Sequence, residues 1–227
     1  FRTAPDGTVY FTDWSDTGEC HSIRNTRRKT GRIYRIAYGT PEKRRVDLAE
    51  LDDGELVDLQ LHKNDWFVRH ARRLLHERAA AGRDLSLAHA QLRELFVDDH
   101  PDETRKLRAL WSLWVTGGID DEFLVAQLDH PSEYVRAWAV QFLCEDRSPP
   151  REARDRFTEM AREGDSQLVR LYLASALQRL RADWRWPIAE GLIGRSEDIQ
   201  DQNLPLMGWY GIEPLVHADV VRFAGLV

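Results

Sequence analysis

The chain has 227 residues, 42% hydrophobic and 31% charged, with 32 Lys plus Arg against 38 Asp plus Glu and a formal charge of −6. That apolar content, with 8 Trp, is enough for a real core and excludes disorder as the default, while the acidic balance disfavours nucleic acid as a partner beyond a local basic patch. No run of about 18 apolar residues occurs, so no helix is expected to span a bilayer.

Residues 1–40 read as a β segment. Asp6-Gly7 is a turn signal, and Thr8 to Trp14 is β-branched and aromatic; Gly31 to Tyr38 alternates polar and apolar side chains until Gly39 stops it. These predict two strands. A lone hairpin is marginal in water, so they are expected to pack on helices or to belong to a larger sheet. Phe1 opens directly into this segment with no initiator Met and no signal-peptide pattern, so the start is expected to lie inside a longer protein.

Between the strands, Ser15 to Thr30 is a long polar loop. With Asp13 it brings together Asp16, Glu19, Cys20 and His21, where carboxylates beside an imidazole could hold a hard or borderline cation and a thiol beside a histidine can be activated. The alternative is an ordinary polar loop at a seam between domains. Cys20 and Cys144 show no Cys-x-x-Cys or Cys-x-x-Cys-His spacing, so neither a zinc site nor covalent haem attachment is read from them.

Residues 41–227 read as helical. After a charged linker, Glu55 to Leu61 and Asp65 to Ala80 predict a short and a longer helix, with Asn64 or Asp65 as cap, Val68, Ala71, Leu74 and Leu75 facing in, and Gly82 as the stop. Leu85 to Phe96 and Asp102 to Trp114 form a second pair across Asp99-His100-Pro101. The clearest pair is Leu124 to Asp146: Leu124, Val125 and Leu128 stripe a first helix, Asp129-His130-Pro131 turns the chain, and Ser132 caps a second helix striped by Val135, Trp138, Ala139, Phe142 and Leu143. Arg151 to Arg162 with Ser166 to Leu180, and Trp186 to Ile193 with Leu204 to Tyr210, continue the series. Second helices aligned on Val68, Thr104, Val135 and Val169 are 36, 31 and 34 residues apart by subtraction. That period predicts a mainly α fold, a HEAT-repeat α-solenoid of about five helix pairs behind a short N-terminal β segment. Glu213 to Val227 would begin a sixth unit, so the carboxyl end is expected to be cut as well.

An arginine follows each aligned position, at Arg69, Arg105, Arg136 and Arg170, and an acidic turn residue precedes it at Asp65, Asp99, Asp129 and Asp165. This is either an anion-binding ladder and interaction surface, or a set of inter-repeat hydrogen bonds with side chains lying over the core. His76-Glu77 has the composition of a di-iron His-Glu pair, but such a site needs several pairs and this chain has one. His100 and His130 precede prolines and read as surface or capping residues. The tryptophans fall mostly on helix stripes and are expected in the core.

Asp6 to His21, DGTVYFTDWSDTGECH, and Thr30 to Gly39, TGRIYRIAYG, resemble the last β-propeller blade of the large haem-binding dehydrogenase-like proteins of planctomycetes. Leu61 to Ala79, LHKNDWFVRHARRLLHERA, and Asp201 to Val216, DQNLPLMGWYGIEPLV, resemble the helical region of the same family. The resemblance implies a sugar-dehydrogenase-like propeller before the HEAT repeats and a c-type cytochrome after them, in an extracytoplasmic, periplasmic setting. It implies haem c, with a quinone as a further candidate, in the longer proteins. This chain lacks most of the propeller and all of the cytochrome motif, so no cofactor and no catalytic residue is expected in it. The leading expectation is a non-catalytic HEAT scaffold or interaction segment whose partners are the adjacent propeller and cytochrome modules or another protein. The alternative is an independent HEAT-repeat nucleic-acid-binding protein or glycosylase-like enzyme using Arg69, Arg72, Arg73, Arg105 and Arg108.

Overall fold

Asp6 organises the first turn: its Oδ1 accepts from the Thr8 N–H at 3.0 Å and hydroxyl at 2.7 Å, while Gly7 takes a φ of 80° that other residues resist. In the computed structural model, which describes residues 1–13, 31–41, 45–164 and 166–226, this turn joins two strands of a three-stranded antiparallel sheet. The strands are β1 Arg2–Thr3, β2 Val9–Thr12 and β3 Ile33–Ile36, in that spatial order. The two expected strands are there. β1 was not legible because two residues carry no alternation. Phe11 stands opposite Tyr34 and their rings stack at 5.1 Å, and Arg35 closes the turn onto Asp6 at 2.7 Å.

The rest of the described chain is mainly helical, with eleven α-helices. They are α1 Asp53–Asp58, α2 Asp65–Ala80, α3 Ser86–Val97, α4 Glu103–Val115, α5 Asp121–Ala126, α6 Glu133–Leu143, α7 Arg151–Glu163, α8 Gln167–Leu177, α9 Ala182–Ile193, α10 Leu204–Ile212 and α11 Val220–Ala224. Their starts follow the caps in the sequence. Asp52 and Glu55 form a reciprocal capping box on α1, and Asn64 caps α2 by accepting from the Trp66 N–H at 3.0 Å. Gly82 and Gly117, with φ of 79° and 71°, turn the chain out of α2 and α4.

The chain divides into two compact units, residues 1–98 with 108–116, and 99–107 with 117–227. In the first, the Asn64 amide donates to the Ala4 carbonyl at 2.9 Å, tying the turn between β1 and β2 to the start of α2, while β3 is exposed along its length. Helix α1 packs on α2 and α3, burying Leu56, Val68, Ala71, Leu75 and Leu92 without exposure. Each of these Leu and Val side chains contributes about 1.5–3 kcal/mol.

In the second unit, α5 packs on α6, α6 on α8, α8 on α10, and α7 on α9. Leu124, Leu128, Val135, Ala139, Phe157, Leu173 and Leu177 form its core, and all of them came from the predicted stripes except Phe157, Leu173 and Leu177, which lie on α7 and α8. Two contacts are unusually close. A Cβ on Gly191 of α9 would lie 2.9 Å from the Ala161 backbone of α7, and one on Gly211 of α10 would lie 2.6 Å from Leu177 Cβ of α8.

The tryptophans depart from expectation. Trp186 is buried, but Trp111, Trp114, Trp138 and Trp184 are only half-buried and Trp209 is 47% exposed. Guanidinium groups cover two of the half-buried rings, Arg154 over Trp184 at 4.0 Å and Arg72 over Trp111 at 5.1 Å, as Arg222 covers the buried Trp186 at 4.6 Å. A long cationic side chain can cover an apolar ring in place of core side chains, so an indole on a stripe need not reach the core.

Candidate functional site

The polar loop offers one described member. Asp13 is half-buried and its N–H donates to the Arg32 carbonyl at 2.8 Å; Asp16, Glu19, Cys20 and His21 lie outside the described residues. Among the described residues no group of three or more His, Cys, Asp or Glu side chains is gathered as for a metal ion. His76 and Glu77 are both exposed on α2, with Glu77 3.4 Å from Arg73. The Cys144 thiol is buried at the end of α6, and burial pushes it up to about 12, which keeps it protonated and unreactive.

The four aligned arginines occupy four different environments. Arg69 is exposed and pairs with Asp65 one turn earlier at 2.6 Å. Arg105 is half-buried on α4. Arg136 donates from one nitrogen to the carbonyls of His130 at 2.8 Å and Pro131 at 2.9 Å, fixing the turn that precedes its own helix. Arg170 is 4% exposed and forms a two-pronged pair with Asp198, Nε to Oδ2 and NH2 to Oδ1, each at 2.6 Å, with a further bond to the Gly164 carbonyl. Arg170 therefore offers no surface to a partner, because the fold encloses it against a carboxylate 28 residues away. Asp198 was missed in the sequence because it stands in a short 3₁₀ turn with no periodic signal.

The serines and histidines before the second helices have a regular geometry. Ser132, at the cap position of α6, donates to Glu103 at the first position of α4 at 2.9 Å; Ser166, at the cap of α8, donates to Glu133 at the first position of α6 at 2.5 Å. His62, His100 and His130 each stand two residues before a cap, and each accepts that residue's backbone N–H at Nδ1, from Asn64 at 2.9 Å, Asp102 at 3.0 Å and Ser132 at 3.0 Å. An accepting Nδ1 requires the neutral ring with its proton elsewhere. Burial, joined by the Lys106 charge, holds His130 below its ordinary value.

Two of the clefts among the described residues of the second unit bear on function. One, of about 420 Å³, is lined by Asp129, Pro131, Arg136, Arg156, Glu159, Glu163 and Ser166. Its cations are already engaged, since Arg156 holds Asp129 at 2.6 Å and Glu159 at 3.0 Å, and both bonds raise its pKa against burial. The other, of about 370 Å³, runs across α6, α8 and α10 and is lined by Trp138, Gln141, Leu171, Tyr172, Ser175, Asn203 and Met207. Trp138 and Tyr172 lie 6.2 Å apart, centroid to centroid, and partial burial raises the Tyr172 phenol. Aromatic faces with amide and hydroxyl edges suit an uncharged polar or peptide-like surface, not acid–base chemistry.

In the first unit a polar cluster was also missed. Gln60 is buried without exposure between the Leu56 and Val68 carbonyls; its Oε1 accepts from Ser112 at 3.2 Å and from Arg72 at 3.4 Å, while Arg108 donates to the Gln60 carbonyl at 3.0 Å. Gln60 sits where the sequence shows only a short helix of leucines, so nothing marked it. No family model, no curated protein and no solved structure matches the chain.

Proposed function

We propose that this chain is a non-catalytic HEAT-type scaffold, a helical-repeat segment that holds other modules of a longer redox protein or another protein. The observation that carries the reading is the repeated joint Ser132 to Glu103 and Ser166 to Glu133, in which the cap of one second helix is bonded to the first residue of the preceding one. A joint repeated at equivalent positions is what a stack of like helix pairs requires, each pair contacting the next. The histidine turns before three caps support the same reading, as does the packing of α6 on α8 and α8 on α10.

The described polar groups are largely engaged in holding helices together, which supports a structural role. The groove of Trp138, Tyr172 and Asn203 is the surface a protein partner would use. In the longer protein the partners would be the propeller and cytochrome modules that the resemblance implies, with haem c and any quinone held there and no cofactor held by this chain.

The test is binding in trans. Propeller and cytochrome modules from the complete reading frame are expected to bind the 227-residue chain, and Trp138→Ala with Tyr172→Ala is expected to weaken at least one of them. A Soret band or sugar-dependent reduction of an acceptor by the chain alone would overturn the non-catalytic reading. A reading frame with neither module would overturn the redox context.

A further inference from the structure

Arg72 carries its charge into a place with no matching anion. It leaves α2 and lies over the Trp111 ring at 5.1 Å, and its nitrogens meet neutral oxygens, Ser112 Oγ and Gln60 Oε1, each at 3.4 Å. Among the described residues no carboxylate is within salt-bridge distance of it. Arg69 and Arg108 stand beside it, and both reach for one carboxylate, Asp65, at 2.6 Å and 3.7 Å. Two of the three guanidinium groups thus share a single carboxylate, and Arg72 reaches none.

A cation partly withdrawn from water with no carboxylate in reach is unfavourable, and the cost shows in half-buried Arg72 itself. Burial, and then the Arg108 and Arg69 charges, outweigh Asp65 and bring it down to about 10, which still leaves it charged at neutral pH. The two bonds it does make are long for a charged donor. Trp111 fixes the plane of the guanidinium, so its N–H edge is held in place before any ligand arrives. Solvent reaches the cluster, since Arg69 and Arg108 side chains are 57% and 20% exposed.

We propose that Arg72, Arg108 and Arg69 form a binding site for a phosphate group, borne by a small phosphomonoester or present as free phosphate. The excess positive charge of the cluster matches a dianion, and planar N–H forks match phosphate oxygens. The chain's formal charge of −6 opposes a long polyanion, which favours a small ligand over a nucleic-acid strand. This site does not depend on the scaffold reading, because it lies in the first unit and uses none of the serine–glutamate joints.

The full chain is titrated with inorganic phosphate, with sodium chloride and sodium acetate at matched ionic strength as controls, following both the thermal midpoint and the heat of binding. Phosphate is expected to raise the midpoint where chloride and acetate do not. Arg72→Met is expected to fold with an unliganded midpoint no lower than the parent, because it removes the unmatched cation, and to lose about tenfold or more in phosphate affinity. Arg69→Gln, at an exposed position, is expected to keep the fold and weaken phosphate severalfold. An equal response to chloride or acetate overturns the site, and so does a phosphate response retained in Arg72→Met. Should Arg72→Met fail to fold, Arg69→Gln decides, and unchanged phosphate affinity there overturns the proposal. A mixed-sequence oligonucleotide that binds more tightly than free phosphate, with steep salt dependence, overturns the small-ligand assignment in favour of nucleic acid.

Discussion

The hydroxyl of Ser166 does two things at once: it accepts from the Val169 N–H at 3.1 Å, capping α8, and donates to Glu133 Oε2 at 2.5 Å, at the start of α6. Ser132 makes the equivalent bond to Glu103 but no side-chain cap of its own helix. The two serines therefore separate capping from joining. Ser166→Ala is expected to cost about 1–2 kcal/mol, the loss of a cap plus a charged hydrogen bond, and Ser132→Ala less. Denaturant midpoints of the two variants check the order, and equal losses would show that the cap contributes nothing.

The Arg170–Asp198 pair is enclosed, so its members should be far more costly to remove singly than together. Arg170→Met or Asp198→Leu alone is expected to destabilise by about 3–5 kcal/mol, because each leaves the other charge buried; the double variant should recover much of the loss. Chemical unfolding of the three variants reads this directly. Additive losses would place the pair in a far more hydrated setting than its 5% and 10% side-chain exposures indicate.

What the sequence disclosed here was periodic. The cap at Asn64 and the stop at Gly82 set the bounds of α2, Asp65–Ala80, and the stripe placed Val68, Ala71 and Leu75 inside, with Leu74 half-buried, because burial on one side of a helix leaves a 3.6-residue imprint. It also placed β2 and β3 through alternation. The site residues were less legible. Arg69 and Arg170 occupy the same aligned position, yet one is exposed beside Asp65 and the other enclosed by Asp198, a partner supplied by a distant 3₁₀ turn that leaves no local trace. Trp138 was expected in the core and instead lines a groove, because a helix stripe gives direction and not depth. Gln60 and Ser112 meet across 52 residues, a pairing that composition cannot announce.

Acid should weaken the fold through its histidines. Burial is the largest cause that lowers both His130 and His89; Lys106 and Arg136 add to it at the first and Arg93 at the second, against the weaker pull of Glu103 and the Ser132 hydrogen bond at the first and of the Thr116 hydrogen bond and Asp84 at the second. Each binds its proton more weakly in the folded chain than in the unfolded one. Their stabilising effect is present above the ordinary histidine value of 6.5 and lost as pH falls through the lowered folded values. Stability is expected to decline as pH drops from about 7 toward 5.5, before most carboxylates titrate, and His130→Asn should flatten that decline. A pH-independent denaturant midpoint across this range would contradict the neutral, accepting role of Nδ1.

Two glycines of one helix should respond to alanine in opposite ways. Gly208 and Gly211 both lie inside α10, where alanine gains roughly 1 kcal/mol from backbone propensity alone. At Gly208 an added Cβ would meet only Ile193 Cδ1 at 3.8 Å, an ordinary contact, so Gly208→Ala is expected to stabilise by about 0.5–1 kcal/mol. At Gly211 it would lie 2.6 Å from Leu177 Cβ and 2.8 Å from its Cδ1, and Leu177 is buried without exposure, so it has little room to give way. The same glycine's carbonyl is held by Arg185 at 3.0 Å, which resists a shift of α10 away from α8. Overpacking of about 1–3 kcal/mol then outweighs the propensity gain, and Gly211→Ala is expected to lower the thermal midpoint while Gly208→Ala raises it. If both substitutions raise it, α8 and α10 are not in the close contact on which the groove of Trp138, Tyr172 and Asn203 depends.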